Sequence, residues 1–410
     1  MARKDQMIVG LDLGSSKTCV LVCLPGEEGK LEVAGFGVAE SKGWRKSVIV
    51  NLDLAVLALK KAVEAAETAA GVSITSAYVG VAGTHINGVN SRGAVALGKT
   101  PGRPGTVTQE EIVKVLQAAR GVTLPPDCEI VYLEPQDYVL DSQAGIRNPL
   151  GMSGARLEAN VHLITGSTTA LRNVVTAANL AGIKVLDTVY EPFAAAAACL
   201  TADERELGVA LVDIGGGSTD MIVYAQGSVR HTASIPVGGD HFTNDIAVGL
   251  RTSIPEAERV KRAWAEHELE KTTGGVLEVP SVGERPARMV SFDVLDEIIQ
   301  PRTLDLLELI HAELERSGPL RQLGTGLIMV GGGTMRGSFV PLAEHTFGLP
   351  VHLGRSKALE NMDENLAGLE YAALVGLAVY GNRRRLLHDA QDIGLMAKLW
   401  RAVRGKGSAA

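Results

Sequence analysis

Two stretches of the chain carry an aspartate, a glycine- or serine-rich turn and a pair of polar side chains in the same order. They are "IVGLDLGSSKTCVLVC", Ile8 to Cys23, and "VALVDIGGGSTDMIVY", Val209 to Tyr224. Each reads as an apolar strand, a tight turn and a second apolar strand, which predicts a β-hairpin. Glycines in such a turn let backbone N–H groups converge on an anion. The candidate phosphate-binding residues are Gly14, Ser15, Ser16, Lys17, Gly215, Gly216, Gly217, Ser218 and Thr219.

Asp12 and Asp213 close the first strand of each stretch. Two carboxylates beside phosphates are tolerable when a hard cation such as Mg²⁺ lies between them, so both are candidate metal residues, acting through water. One such hairpin alone is an ordinary turn, but two matching copies about half a chain apart indicate two similar halves with one nucleotide between them. Neither hairpin matches the Walker A phosphate loop, GxxxxGK[ST], or the dinucleotide-binding fingerprint, GxGxxG.

A third glycine cluster lies in "LIMVGGGTMRGS", Leu327 to Ser338. A buried strand runs into glycines that let the backbone pass close to a flat ligand such as adenine; the alternative is a plain strand-to-helix turn. Glu258 and Lys261 are three residues apart on a predicted helix and share a face suited to a ribose, although such a pair is also an ordinary surface ion pair. The candidates in the third cluster are Gly331, Gly332, Gly333, Thr334 and Met335.

The amino-acid composition limits which kinds of protein the chain can be. The 410 residues are 46% hydrophobic and 21% charged, which is globular and enough for two to four domains. The net charge of −7 argues against general nucleic-acid binding. The start of the chain has no signal-peptide pattern, and we find no apolar run long enough to span a membrane. Four cysteines without metal-ligand spacing are expected to be buried free thiols in a reducing compartment: Cys19, Cys23, Cys128 and Cys199.

The end of the chain has a different character. "NRRRLLHDAQD", after Gly381, is charged and polar and is expected to be a linker. The following "IGLMAKLWRAVRGKGSAA" places apolar side chains in steps of three and four, with basic side chains beside them. This pattern predicts a helix lying in an anionic membrane surface; a tail packed on the body, or a disordered end, is the alternative. The residues concerned are Ile393, Met396, Leu399, Trp400 and Val403, with Lys398, Arg401 and Arg404.

Together, the three glycine-rich motifs resemble those of the actin, hexokinase and heat-shock chaperone superfamily. Within it, the chain resembles the FtsA family, bacterial actin homologues that tether the division ring to the membrane. Three further stretches carry this resemblance in the expected order: "NPLGMSGARLEANVHLIT" (Asn148 to Thr165), "EPFAAAAA" from Glu191, and "IIQPR" (Ile298 to Arg302).

The resemblance implies an α/β, actin-like clam of two halves built on ribonuclease-H-like sheets, with an inserted small α+β subdomain and a C-terminal amphipathic helix. The expected boundaries are 1–82, 165–195 and 364–382 for subdomain 1A of the first half, 83–164 for the inserted subdomain 1C, 196–238 and 312–363 for subdomain 2A of the second half, 239–311 for the smaller subdomain 2B, 383–391 for the linker and 392–410 for the tail.

The resemblance also implies ATP and Mg²⁺ as ligands and self-assembly into filaments. Our hypothesis is that ATP acts mainly as a structural ligand that closes the cleft and favours polymerisation, with slow or negligible hydrolysis. Glu191 corresponds to a glutamate that places the attacking water in the chaperone branch; the alternative is a helix N-terminal glutamate that interacts with the helix dipole. The expected partners are the C-terminal peptide of the tubulin-like protein FtsZ, anionic lipids and other division proteins, at the cytoplasmic side of the membrane at the division site. Arg302 is the candidate contact to an acidic group of that peptide, or else an exposed helix arginine. A pilus-assembly scaffold and a small-molecule kinase are the competing functions.

Overall fold

The structure is a computed structural model that describes residues 6–26, 30–98, 104–270, 275–283, 286–318, 320–334, 339–356, 358–362 and 364–387. The strands are β1 (Ile8–Leu13), β2 (Lys17–Pro25), β3 (Leu31–Glu40), β4 (Trp44–Arg45), β5 (Val48–Ile49), β6 (Ser76–Val81), β7 (Ile86–Ala96), β8 (Gly105–Thr106), β9 (Cys128–Leu140), β10 (Gln143–Ile146), β11 (Ser153–Gly154), β12 (Arg156–Ser167), β13 (Lys184–Tyr190), β14 (Val209–Ile214), β15 (Thr219–Ala225), β16 (Ser228–Ile235), β17 (Val276–Val279), β18 (Arg288–Ser291), β19 (Leu327–Val330), β20 (Val351–Leu353) and β21 (Leu359–Glu360). The helices are α1 (Leu52–Ala70), α2 (Gln109–Ala119), α3 (Thr168–Leu180), α4 (Glu191–Cys199), α5 (Ala202–Leu207), α6 (Gly239–Leu250), α7 (Ile254–Glu270), α8 (Phe292–Ser317), α9 (Phe339–Phe347) and α10 (residues 372–387).

The first half is a six-stranded sheet in the order β13-β6-β1-β2-β3-β21. β1 and β2 form the predicted antiparallel hairpin, β3 continues it antiparallel, and β6 and β13 follow on the other side in parallel. Helix α1 packs directly on β2 and β3 because Gly37 lets its backbone approach: a Cβ there would collide with the carbonyl of Ala62. Parallel β6 and β13 need covering helices on their connections, which explains α1 and α3.

The second half repeats this arrangement. Its five strands follow the order β16-β15-β14-β19-β20, with two antiparallel pairs and then two parallel pairs. The order and polarity equal those of β3-β2-β1-β6-β13 in the first half. The prediction of two similar halves, each with one glycine-rich hairpin, is therefore confirmed.

Two helices rich in small residues lie between the halves. The first turn of α4 begins with Glu191 and Pro192, and Pro is favoured there because its missing N–H has no partner within the helix. Ala195 and Ala196 pack against the second sheet, while Leu374 and other residues of α10 pack against the first. The two helices touch closely, because a Cβ on Gly376 would collide with the carbonyl of Ala194.

Between β6 and α3 the chain forms a separate small α+β unit. Its four strands follow the order β10-β9-β12-β7, all antiparallel, and α2 covers one face. A capping box between Thr108 and Glu111 starts α2, as expected for Thr followed three residues later by Glu. Within the second half, a further cluster comprises α6, α7, the β17–β18 pair and α8.

Two expectations differ from the structure. Cys19 and Cys23 are buried in β2 as predicted, but Cys128 and Cys199 are only half-buried, because they occupy the first residue of β9 and the last of α4. Residues 383–387, expected in the linker, continue α10: no Gly or Pro interrupts the helix there, and Arg384 lies 3.9 Å from Asp187 of β13.

The predicted membrane-binding tail, 392–410, lies outside the described residues. Among the helices that the structure does describe, none is long and apolar enough to cross a membrane.

Candidate functional site

The two glycine-rich hairpins face each other across the gap between the halves. A Cβ on Gly216 would collide with Ser16 Oγ, and one on Gly217 would lie 2.8 Å from Ser15 Oγ, so only glycine allows this close approach of the tips. The turn between β4 and β5 covers both tips: Ser47 N donates to Ser15 Oγ (3.1 Å), and Ser47 Oγ lies 3.1 Å from Ser218 Oγ. The phosphate-binding residues predicted on the two hairpins are thus brought together.

Acidic side chains gather at the bottom of this cleft. Asp12 is buried, and burial raises its pKa to about 6. Asp213 is half-buried as a residue, but protein surrounds its carboxyl group. This burial, together with the charges of Asp220 and Asp12, raises the pKa of Asp213 to about 8. Burial also raises the pKa of Glu191 well above its usual value, and Asp12, Asp213 and Asp220 raise it further. Carboxylates that repel each other in this way favour a cation among them.

Glu191 is the first residue of α4, at the point where the chain passes from the first half toward the second. Its side chain lies over the β6 strand, since a Cβ on Gly80 would be 2.8 Å from Glu191 Oε1. The predicted catalytic residue therefore lies in the same cleft as both predicted metal residues.

The third glycine cluster closes the cleft on the side of the second half. Gly333 N donates to the carbonyl of Ile214 (2.7 Å), and a Cβ on Gly333 would be 2.8 Å from Gly215 O. Gly331 has a φ of +91°, and a Cβ there would collide with Asp213 Oδ1. Gly332 faces Glu370, Thr334 is buried, and Met335 lies outside the described residues.

Glu258 and Lys261 lie beside this cluster as an ion pair, with 2.6 Å between Lys261 Nζ and Glu258 Oε2. Lys261 Nζ also donates to Gly239 O (3.0 Å) at the start of α6, and Thr243 Oγ1 donates to Glu258 Oε2 (2.6 Å). Gly239 is in turn joined to the second hairpin, because Gly239 N donates to Gly215 O (2.9 Å). The pair is thus both an ion pair and a neighbour of the glycine cluster.

Sequence reasoning missed three residues of the cleft. Asp220 lies directly across the hairpin from Asp213, and the antiparallel register around a turn at 215–218 was the signal for it. Glu370 and Tyr371 come from the segment before α10: Lys17 Nζ lies 4.0 Å from Glu370 Oε1 and 3.7 Å from the centre of the Tyr371 ring. A distant segment of chain supplied these two, so no local pattern indicated them.

Arg302 lies away from the cleft, on α8. Its Nε donates to Asp245 Oδ2 of α6 (2.7 Å), and Asp305 lies 3.6 Å away on the same helix. The Arg302 side chain is 30% exposed, so it is a surface residue, and it already pairs with an acidic side chain of the same chain.

The residues of the cleft fit a nucleotide with a divalent cation. The hydroxyls of Ser15, Ser47 and Ser218 meet where the two glycine-rich tips approach each other, and Lys17 lies close enough for its charge to oppose the rise that burial causes in the pKa values of Asp12 and Asp213. In the part of the chain that the structure describes, no three His, Cys, Asp or Glu side chains converge so as to hold a metal ion. A cation between Asp12 and Asp213 would therefore take its other ligands from phosphate and water oxygens.

Two copies of one sheet around a cleft lined by glycine-rich hairpins define an actin-like protein, and solved structures share this fold. The PilM–PilN type IV pilus biogenesis complex aligns with a TM-score of 0.62 at 16% identity, over 92% of this chain and 98% of that one. MreB 5 of Spiroplasma citri bound to AMPPNP aligns with a TM-score of 0.53 at 14% identity, over 95% and 98% of the two chains.

Sequence comparison identifies the family. The family model described as "Cell division protein FtsA" matches residues 210–376, and "SHS2 domain inserted in FTSA" matches residues 83–165, the separate α+β unit. The cell division protein FtsA of Pseudomonas aeruginosa is 42% identical over 385 residues, covering 93% of this chain and 91% of that protein. The chain belongs to the FtsA family of cell division proteins, and the pilus-assembly alternative is not favoured.

Proposed function

We propose that the chain binds ATP with Mg²⁺ in the cleft and uses it to control assembly. The observation that carries this proposal is the opposition of Ser15 and Ser16 to Gly216 and Gly217, with Lys17 beside them. These residues would hold the phosphates, Asp12 and Asp213 would hold the cation through water, and the third cluster with Glu258 and Lys261 would hold the adenosine. Bound Mg²⁺ would neutralise charge on the phosphates.

Hydrolysis should be slow. A general base must give up its proton near neutral pH, but burial and three neighbouring acids raise the pKa of Glu191 well above its usual value. The protonated form of Glu191 is therefore favoured more than in an exposed glutamate, and the protonated form cannot act as a base. ATP would act mainly as a structural ligand that closes the cleft and favours filaments.

The chain would attach these filaments to the cytoplasmic face of the membrane at the division site. Support comes from family membership and from the sequence of residues 393–404, whose apolar stripe and basic flank suit an anionic surface. One such short helix binds weakly, whereas a filament presenting many of them binds by avidity. The filament would thereby tether FtsZ and recruit other division proteins.

The FtsZ peptide would dock near Arg302, in the smaller cluster of the second half. Arg302 donates to Asp245 through Nε and Nη2, and Asp305 lies 3.6 Å from Nη1, so three of its five N–H groups are not used by Asp245. We therefore expect the peptide's acidic group to accept from Nη1 and Nη2 and to compete with Asp305.

Co-sedimentation with anionic liposomes tests the proposal, with the whole chain compared with one truncated after Asp389, each with and without Mg-ATP. Binding that requires the tail and strengthens with ATP is the expected result. Equal binding by both chains, or an ATP effect that persists in a variant unable to assemble, would contradict the coupling of nucleotide, assembly and membrane attachment.

A further inference from the structure

The inserted α+β unit, residues 83–165, touches the second half although its chain enters from and returns to the first. β7 is the edge strand of its sheet, β16 is the edge strand of the second-half sheet, and the two edges face each other. Side-chain amides cover the exposed edge of β16: Asn90 Nδ2 donates to Arg230 O (3.1 Å), and Gln136 Nε2 donates to Val229 O (2.7 Å). We call this set of contacts the seam.

His162 lies at the buried centre of the seam. Its Nδ1 is 2.7 Å from Asn90 Oδ1, which can only accept, so Nδ1 carries the proton. Its Nε2 must then accept from the hydroxyl of Thr232 on β16, at 3.0 Å. Burial lowers the pKa of His162 to about 4, which keeps the ring neutral and this arrangement fixed. The strands approach so closely that a Cβ on Gly88 would collide with Thr232 Oγ1.

Both ends of the seam are also fastened. At the end away from the cleft, Arg147 Nη2 donates to Glu206 Oε1 (2.7 Å) and to Gln226 O (3.0 Å). At the cleft end, Gly83 N, where the inserted unit begins, donates to Asp220 Oδ1 (3.0 Å). Asp220 also accepts from Ser218 Oγ (2.7 Å), so the second phosphate hairpin is joined directly to the start of the inserted unit.

From this geometry we propose that the inserted unit is a clasp between the two halves, and that the seam controls nucleotide release. The unit is covalently part of the first half and hydrogen-bonded to the second, so any rotation of one half against the other must break the seam or drag the unit with it. The inference rests on the proposed nucleotide binding for its functional consequence, whereas the clasp itself is a property of the free protein.

Two measurements on the full chain test the clasp. The first is the dissociation rate of a fluorescent ATP analogue, mant-ATP with Mg²⁺, and the second is amide hydrogen exchange of β7 and β16 without nucleotide. Thr232→Val keeps the shape but leaves His162 Nε2 without its donor, so we expect release about tenfold faster and faster exchange in both strands. Thr303→Val is the matched control, because Thr303 is a similarly buried threonine of the second half that bonds only within α8.

The exposed Arg147–Glu206 pair provides an independent test that does not disturb the core. Arg147→Glu should raise the release rate about threefold through like-charge repulsion, and Arg147→Glu with Glu206→Arg should restore it. Faster hydrogen exchange in β7 and β16 without faster nucleotide release would refute the proposal that the seam controls release. Unchanged exchange in every variant would refute the proposal that the inserted unit is a clasp. If the wild-type chain does not bind mant-ATP, the proposed function is wrong, and the hydrogen-exchange data alone then decide whether the inserted unit is a clasp.

Discussion

Replacing Asp213 by asparagine should stabilise the nucleotide-free protein. The folded-state pKa of Asp213 is raised from 3.8 to about 8, by burial and by the charges of Asp220 and Asp12. The folded state therefore binds more protons than the unfolded state between these two values, and the group destabilises the fold increasingly as pH rises through this window. Asparagine has a similar shape and carries no charge, so this cost disappears.

The magnitude follows from the same shift. Each unit of pKa difference corresponds to about 1.4 kcal/mol, and the span from 3.8 to pH 7 gives an upper limit of about 4 kcal/mol. Because the neighbouring acids share the repulsion, we expect about 2–4 kcal/mol at pH 7 and almost none at pH 4. This is a substantial part of the roughly 5–15 kcal/mol that typically separates folded from unfolded domains.

Thermal unfolding without nucleotide, between pH 4 and pH 8, measures this directly. The melting temperature of Asp213→Asn should exceed that of the wild type by several degrees at pH 7–8, and the two should converge toward pH 4. Asp53→Asn, at an exposed aspartate in the first turn of α1, is the control and should show no such pH-dependent gain.

Addition of Mg-ATP should narrow the difference in stability between the variant and the wild type. A ligand at a hundred times its dissociation constant stabilises a protein by about 2.7 kcal/mol, and the variant should lose much of that gain because a cation ligand is missing. A variant that melts at or below the wild-type temperature without nucleotide at pH 7.5 would refute the reasoning about the acidic cluster.

Three further changes probe the remaining residues. Glu191→Gln should preserve the fold, since glutamine has nearly the same shape and carries no charge where burial raises the pKa of the carboxyl, and should slow phosphate release at least tenfold in an hours-long assay because glutamine cannot accept a proton; an unchanged rate would exclude a catalytic role. Gly333→Ala should weaken mant-ATP binding at least tenfold by fluorescence titration, because its Cβ would press on the second hairpin, whereas Gly121→Ala should not. Arg302→Ala should weaken binding of a labelled FtsZ peptide about tenfold in fluorescence polarisation; equal affinity would place the peptide elsewhere.

The fold was predictable where local pattern and repetition coincided. A single glycine-rich hairpin carries little information, but the second copy, with Asp213 and Gly215 in the positions of Asp12 and Gly14, predicted two equivalent sheets. The observed strand orders bear this out, and the antiparallel register of each hairpin follows from its short turn. Local information was sufficient here because hairpins are made by residues near each other in the chain.

What the sequence could not predict depends on contacts between distant segments. Lys17 lies over Tyr371 only because the segment before α10 returns to the first sheet after the whole second half has been made. The end of α10 was likewise predicted too early, because the charged and polar residues after Gly381 were taken as a linker, whereas the helix continues through Gly381 at least to residue 387. The seam involves residues 83–165 and 206–232, and none of its polar side chains forms a recognisable motif.

The acidic cleft and the seam together explain how one ligand could change the whole molecule. Without a cation, burial and the charges of neighbouring acids disfavour the ionised forms of Asp213 and Glu191, and a cation among these carboxyls would favour those forms. Asp220 belongs both to this cluster and, through Gly83, to the seam. Neutralising the cluster therefore changes the charge at one end of the contact that positions the inserted unit. A nucleotide that fills the cleft would alter the inserted unit's position without touching it, because the two sites share a carboxylate.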